Sequence, residues 1–325
     1  MIRGSGTQMD GIGLTAVLSI PDEVRSRAVG QGAESWLAGL DGMVRSLCSD
    51  WGLRLGPVLD GGTAAFVAVV GCADGSEAVL KISLPQLGFQ DQLRLLELAD
   101  GRGYVRVLRS DPGRDAALLE RLGPPLAPLI ENTSPSPESQ IEVLSQLLPV
   151  AWQISPESYA DQDWNKAEQL ATMITELWPR LKHPCSSSVI EQALECARRR
   201  AAVPRDRWVV VHGDPHPGNA LQVLHDRPGA VAGHVFVDPD GFLADPAYDV
   251  GVTLRDWSRW LKESEDPHRL MESYCALAAE RTGLEPDAIW EWAYLERVSS
   301  GLFVTSFGEP DRGRRFLDTA ELLLR

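Results

Sequence analysis

Asp214 and, five residues on, Asn219 lie in the run Val209-Val210-Val211-His212-Gly213-Asp214-Pro215-His216-Pro217-Gly218-Asn219. A β-branched stretch here delivers a compact polar turn. A second apolar run, Val235-Phe236-Val237, ends on Asp238. A positioned carboxylate can take the proton of a hydroxyl, which makes Asp214 a candidate general base. The amide oxygen of Asn219 and the carboxylate of Asp238 are hard oxygen donors. Mg²⁺ accepts a small number of such ligands and completes its shell with phosphate and water. A base, an amide and a second carboxylate in this order point to phosphoryl transfer from ATP to a hydroxyl. That reaction asks a protein for in-line positioning and charge neutralisation rather than covalent chemistry.

Other residues fit the same chemistry. Lys81 stands in Ala78-Val79-Leu80-Lys81-Ile82 and is the first lysine of the chain. An alternating strand could expose it harmlessly, whereas in a kinase sheet an ammonium here neutralises the α- and β-phosphates. Gly61-Gly62 lies in the preceding turn, where backbone could close over phosphates, although turn geometry alone also selects glycine. Leu119-Glu120-Arg121-Leu122-Gly123 leaves the sheet, and the backbone around Glu120 and Leu122 is the expected contact for an adenine edge. Asp91 and Glu97 are both candidates for a carboxylate partner of Lys81. Asp240 could assist the metal or face away. His212 and His216 invite a zinc reading, but Gly213, Asp214 and Pro215 between them disfavour a helix presenting both on one face, so His212 is expected to stiffen the loop by hydrogen bonding. Asp245 and Asp249 are expected as helix cap and loop anchor. Arg198-Arg199-Arg200 is expected to complement a helix C-terminus. No Gly-x-x-x-x-Gly-Lys-Ser/Thr occurs, which disfavours a P-loop nucleotidase.

The elements that must position these groups change period near the middle of the chain. Residues 20–50 read as helical, with Trp36, Leu37, Leu40, Val44 and Leu47 at helical spacing. Strands are predicted over 55–59, 64–70 and 78–82, with Asp74-Gly75 as a hairpin turn, then a helix over 88–100 and strands over 104–108 and 116–119. The polar stretch 131–139 opens a helical half. Helices are predicted over 137–148 with Ser136 as N-cap, 161–181, 188–202 from a capping box at Ser188 and Glu191, and then over roughly 245–257, 266–282, 287–306 and 311–325. Between them, 208–211, 220–224 and 231–237 read as short strands. The expected fold is α+β with two lobes: residues 1–120 as a nucleotide-binding lobe with a mostly antiparallel sheet, and 121–325 as a mainly helical lobe carrying the catalytic loop.

The 325 residues are 44% apolar and 24% charged, as in a globular chain, and carry a net charge of −15 from 31 basic and 46 acidic residues. That balance argues against a nucleic-acid partner and suits a small cationic acceptor. The five cysteines are scattered without metal-site spacing and read as free thiols of a reducing compartment. No apolar run approaches a membrane span and Met1–Asp10 has no apolar core to follow it, so a cytoplasmic protein without a membrane partner is expected. Residues 1–8 read as a loose tail. Nothing in the sequence bears on oligomeric state.

With these residues assembled, the chain resembles the aminoglycoside phosphotransferase family, and within it the streptomycin 6-kinase and hydroxyurea phosphotransferase group. His212-Gly213-Asp214-Pro215-His216-Pro217-Gly218-Asn219 is similar to that family's His-Gly-Asp-Leu-His-x-x-Asn. Val237-Asp238-Pro239 with Asp245-Pro246-Ala247-Tyr248-Asp249 is similar to its metal motif and the Gly-Asp-Pro-x-x-Asp that follows. Ala117–Leu122, Asp100–Gly103 and Ile20–Gly52 resemble stretches of the group's first lobe. The resemblance implies a protein-kinase-like fold and Mg-ATP-dependent phosphorylation of a hydroxyl on an antibiotic or similar small molecule. It also implies Asp214 as base, Asn219 and Asp238 on Mg²⁺, and Lys81 on the nucleotide. Pro215 departs from the usual Leu, and Ala244 from the Gly before Asp-Pro, both on the expected wall of the acceptor pocket. A metabolic kinase for a sugar or amino alcohol, or a nucleotide-binding pseudokinase, is the competing reading. Retention of Lys81, Asp214, Asn219 and Asp238 together counts against the latter. The absence of Asp-Phe-Gly and Ala-Pro-Glu counts against a protein kinase.

Overall fold

The computed structural model describes residues 18–59, 64–85, 88–127 and 136–325. Gly61 and Gly62, the tail 1–8 and most of the polar stretch 131–139 lie outside them. The chain forms two compact units, 1–86 with 113–116, and 87–112 with 117–325.

In the first unit, α1 (Asp22–Gly30) and α2 (Glu34–Trp51) replace the single helix expected over 20–50. The break falls at Gly32, whose φ of +69° is left-handed and ends the helical path. Trp36, Leu40, Val44 and Leu47 form the buried stripe of α2. An antiparallel meander follows: β1 (Arg54–Val58), β2 (Ala65–Gly71) and β3 (Glu77–Ser83). Lys81 sits on β3 opposite Val67 and is 8% exposed. Every residue of β3 from Ala78 on is buried, so the alternation that would expose the lysine is absent. The returning segment is tied down by Arg114, which bonds Asp50 at 2.7 Å, and by Asp115, whose carbonyl accepts from Ser83 N–H at 2.9 Å.

The second unit begins with α3 (Phe89–Ala99), β4 (Val107–Asp111), β5 (Ala116–Glu120) and β6 (Leu122–Pro125). The strand expected over 104–108 starts at Val107 instead. Gly103 C=O and Val105 N–H are spent on Phe236, at 2.8 Å each, and Tyr104 makes a parallel bridge there. Next come α4 (Pro137–Ala151), capped by Ser136 Oγ as expected, α5 (Lys166–Arg180) and α6 (Ser187–Ala201). Helix α5 starts five residues later than the sequence suggests. Asn165 Oδ1 caps it through Ala167 N–H at 2.9 Å, while Gln162 is occupied bridging Leu243 N–H and C=O at 2.7 and 2.8 Å. The cap of α6 is Ser186, not Ser188, and Ser186 is held by Glu321 through both its N–H and Oγ.

Four short strands then surround the polar turn: β7 (Val209–Val211), β8 (Ala220–Val223), β9 (His234–Phe236) and β10 (Phe242–Ala244). β10, absent from the sequence reading, pairs antiparallel with β7, while β8 pairs with both β6 and β9. The chain ends in α7 (Ala247–Leu254), the unforeseen α8 (Ser258–Glu263), α9 (Pro267–Thr282), α10 (Pro286–Ser306) and α11 (Pro310–Leu322). Helix α10 is the core of this unit and packs against α5, α6, α7, α9 and α11. Gly251 lets α7 cross it closely: a Cβ there would lie 2.5 Å from Trp292 Cβ and 2.7 Å from Trp292 backbone carbon.

Arg199 and Arg200 do more than complement the end of α6. Both reach Glu291 of α10 at 2.6 Å, and Arg200 also reaches Asp245 at 3.4 Å, whereas only Arg198 stays local, on Glu195. No helix among the described residues is long and apolar enough to cross a membrane.

Candidate active site

β7 and α7 build the turn that carries Asp214. The turn needs Gly213 at φ +96°, where a Cβ would stand 2.6 Å from Asp240 Cβ and 3.0 Å from the Phe242 ring. Its buried amides and carbonyls are then satisfied by side chains of α7. The fully buried Asp249 accepts from His212 N–H at 2.8 Å and Gly213 N–H at 2.9 Å, and from Trp152 Nε1–H at 2.8 Å. Tyr248 OH donates to Gly213 C=O at 3.2 Å, and Thr253 Oγ1–H to Pro215 C=O at 2.9 Å. Asp249 and Thr253 are four apart and share a side of the helix. Burial pushes the Asp249 carboxyl up to about 6, against the pull of its three donors. The loop-anchor role expected of Asp249 is thus what the contacts describe, whereas the N-cap of α7 is Pro246 and Asp245, one residue before it, accepts from Ala247 N–H at 3.1 Å.

His212 fixes the turn from inside. Asp214 N–H can only donate, so Nδ1 of His212 accepts it, at 3.1 Å, and Nε2 must carry the proton that bonds Val237 C=O at 3.0 Å. Burial lowers this imidazole to about 4, which keeps it neutral. Tyr104 stacks on it at 5.9 Å and 13°. Both ring nitrogens are consumed, as a structural histidine requires and a zinc ligand does not. In His216, Nδ1 accepts from Gly218 N–H at 3.0 Å, and Nε2 lies 3.6 Å from Asp214 Oδ2.

These bonds bring Asp214, Asn219 and Asp238 together. Asn219 Nδ2 donates to Asp214 C=O at 3.0 Å, which leaves the amide oxygen as the end not used by the loop. Asn219 C=O in turn accepts Val237 N–H at 2.8 Å, setting Asp238 beside it. Asp238 has a φ of +56°, a left-handed conformation costing of order 1 kcal/mol for a residue with a side chain and typical of functional positions. An amide oxygen and a carboxylate, carried by residues that this backbone bond brings next to each other, are donor types that Mg²⁺ takes when phosphate completes its shell. Asp240 N–H is bonded to His212 C=O at 2.7 Å. Its carboxyl is pushed up to about 6, first by burial and then by the charge of Asp214.

The Asp214 side chain is 35% exposed. Oδ1 accepts from Arg255 Nη2 at 2.6 Å. Burial works to raise the Asp214 carboxyl, and the Arg255 guanidinium, followed by His216, outweighs it, holding it below the usual carboxylate range. Arg255 escaped the sequence reading. Its signal was a lone cation closing an otherwise apolar helix, Val250-Gly251-Val252-Thr253-Leu254-Arg255.

Glu120 stands elsewhere in this unit. Its carboxylate is paired with Arg227 Nε at 3.0 Å and with Nη2, and accepts Arg106 N–H at 2.8 Å. Arg227, also missed, further bonds the carbonyls of Gly101 and Tyr104. Leu122 is buried in β6 opposite Val223. In α3, Glu97 accepts from Ser110 Oγ at 3.0 Å and Asp91 lies in the first turn. Lys81 belongs to the first unit.

Residues 54–308 match the family described as aminoglycoside/hydroxyurea antibiotic resistance kinase. The chain belongs to this family. It is 31% identical to a hydroxyurea phosphotransferase of Kitasatospora aureofaciens over 316 residues, 95% of this chain and 87% of that one. It is 26% identical to a streptomycin 6-kinase of Streptomyces glaucescens over 317 residues, covering 95% and 96%. Among solved structures it resembles the choline kinase LicA of Streptococcus pneumoniae (TM-score 0.57, 15% identity, 87% and 98% covered). The expected two-lobed, kinase-like α+β fold is therefore the fold of this kinase, and its reaction is phosphoryl transfer.

Proposed function

We propose that this kinase transfers the γ-phosphoryl group of ATP to a hydroxyl of a small antibiotic-like acceptor, an aminoglycoside such as streptomycin or else hydroxyurea, in the cytoplasm. The observation that carries the reading is the Asp214 turn. A half-exposed carboxylate is held at one oxygen, with Asn219 and Asp238 beside it. The acceptor hydroxyl hydrogen-bonds to the Asp214 carboxylate, which orients its oxygen toward the γ-phosphorus. The new O–P bond forms as the bond from the γ-phosphorus to its bridging oxygen breaks. ADP leaves, and the hydroxyl proton passes to Asp214. Asn219 and Asp238 would hold Mg²⁺, which supplies charge neutralisation on the phosphates when bound. On the motif resemblance, Lys81 is the residue assigned to the nucleotide phosphates and the backbone at Glu120 and Leu122 to the adenine, with the glycines Gly61 and Gly62, outside the described residues, assigned to the phosphates. The sequence identity to the streptomycin and hydroxyurea enzymes over nearly the whole chain supports this choice of acceptors.

The test is transfer from Mg-ATP to a panel of streptomycin, other aminoglycosides, hydroxyurea and simple amino alcohols. Phosphorylation of streptomycin or hydroxyurea is expected. Phosphorylation of an amino alcohol alone would replace the acceptor and keep the mechanism.

A further inference from the structure

The contact between Arg255 and Asp214 is one arm of a buried arrangement. Arg255 Nη2 meets Asp214 Oδ1 at 2.6 Å, and Nη1 meets Glu296 Oε2 at 3.0 Å. Glu296 lies in the middle of α10 with its side chain 4% exposed, against 35% for that of Asp214. The guanidinium thus has one end anchored in the core and the other on the half-exposed base. Its backbone is fixed from the same helix: the neighbouring Arg297, fully buried, donates to Leu254 C=O at 2.9 Å and to Ser258 Oγ and Thr319 Oγ1 at 3.2 and 3.0 Å. Adjacent residues of α10 therefore hold the side chain of Arg255 and the carbonyl just before it.

An aspartate carboxylate turns almost freely about its last bond, because that torsion has broad minima. In-line transfer needs one oxygen of Asp214 held toward the acceptor hydroxyl. A charge-assisted bond at Oδ1 supplies the missing restraint and leaves Oδ2 to meet the hydroxyl. A pair serving only to fasten α7 to α10 would be complete with Glu296 alone and would not reach a solvent-facing carboxylate.

We infer that Arg255 is a positioning residue for Asp214, aligned by Glu296 and working by fixing the orientation of the base. This rests on the functional reading above, in which Asp214 takes the acceptor proton. Asp256 Oδ1, 3.7 Å from Arg255 Nε, is a weaker third neighbour.

The test compares kcat and KM for streptomycin and Mg-ATP in the wild-type chain, Arg255→Ala, Arg255→Lys and Asp214→Asn, with and without added guanidinium chloride. Arg255→Ala should lower kcat roughly 10- to 100-fold, the scale of a misplaced reacting group, while KM for Mg-ATP stays within about threefold. Free guanidinium should restore kcat in Arg255→Ala in a saturable way and leave Asp214→Asn inactive. Arg255→Lys should be intermediate, because an ammonium lacks the fork that spans both carboxylates. Arg255→Ala strands the Glu296 charge, so the double variant Arg255→Met with Glu296→Leu removes both charges and keeps the fold testable. It should melt near the wild-type temperature and lose kcat to the same extent. A folded variant of either kind with kcat within about threefold of wild type would overturn the positioning role while leaving the functional reading intact. No transfer by the wild-type chain to any acceptor would overturn the functional reading and the positioning role with it.

Discussion

Asp238 combines a strained backbone with a proposed chemical role, and substitution separates the two. At φ +56° glycine is relaxed where aspartate is not. Asp238→Gly should therefore melt at or slightly above the wild-type temperature, by up to about 1 kcal/mol of added stability, and lose phosphate transfer at least 100-fold. A variant equally stable and still active would remove Asp238 from the site. His212 makes a prediction about acid stability. Its folded pKa, about 4, lies below the ordinary 6.5, so the stability it contributes is present above 6.5 and is lost as pH falls toward 4. The shift corresponds to roughly 3 kcal/mol. Asp249, raised to about 6, runs the other way, because its folded form binds its proton more readily than the unfolded chain does. The two trends oppose in the wild type. The stability advantage over His212→Asn should nevertheless narrow by roughly 3 kcal/mol between pH 7 and pH 4, measured by denaturant unfolding. A constant difference would mean that His212 titrates normally in the fold.

At this scale the sequence was most legible where chemistry demands fixed spacing. The order Asp214, Asn219, Asp238 stands out because a turn and a hairpin bring them together through neighbouring backbone bonds. Arg255, Glu296 and Arg227 were hidden because their partners lie 41, 41 and 107 residues away, and a lone charge in an apolar helix does not announce what it meets. Gln162 was hidden for the same reason, since its two bonds to β10 span 81 residues.

Among elements, the long periodic helices α4, α9, α10 and α11 and the β2–β3 hairpin were readable, since each carries its own period and punctuation. The misplaced boundaries share a cause. The strand at 104–108 and the helix start at 161 were displaced by long-range pairing with Phe236 and Leu243, which local pattern does not contain. The cap expected at Ser188 falls instead on Ser186, which Glu321 holds from another helix, a contact that local pattern does not contain. Strand β10 is three residues long and lies inside the turn-rich stretch after Asp238. The α7–α10 crossing is where an element-scale claim can be tested. A methyl at position 251 would meet Trp292 backbone at 2.7 Å, so even alanine must push the helices apart. Gly251→Ala should cost about 1–3 kcal/mol in unfolding free energy, despite alanine's better helix propensity. Since α7 carries Asp249, Thr253 and Arg255, it should also lower kcat. A more stable and fully active variant would show that the crossing is looser than described.

At the scale of the whole molecule, an α+β chain of two units presents a polar turn whose backbone is held by Asp249, Tyr248, Thr253 and His212. Its net charge of −15 suits the proposed cationic acceptor through long-range attraction, without setting the chemistry. In the proposed mechanism the chemistry is set by Asp214. The most direct test measures transfer of labelled γ-phosphate from Mg-ATP to streptomycin and to hydroxyurea by the wild-type chain and by Asp214→Asn, with ATP affinity determined alongside. Transfer by the wild type, a loss of 100- to 10,000-fold in Asp214→Asn, and unchanged ATP binding are the predicted result, in the range expected for removing a positioned base. An Asp214→Asn variant that binds ATP and transfers phosphate at the wild-type rate would contradict the account.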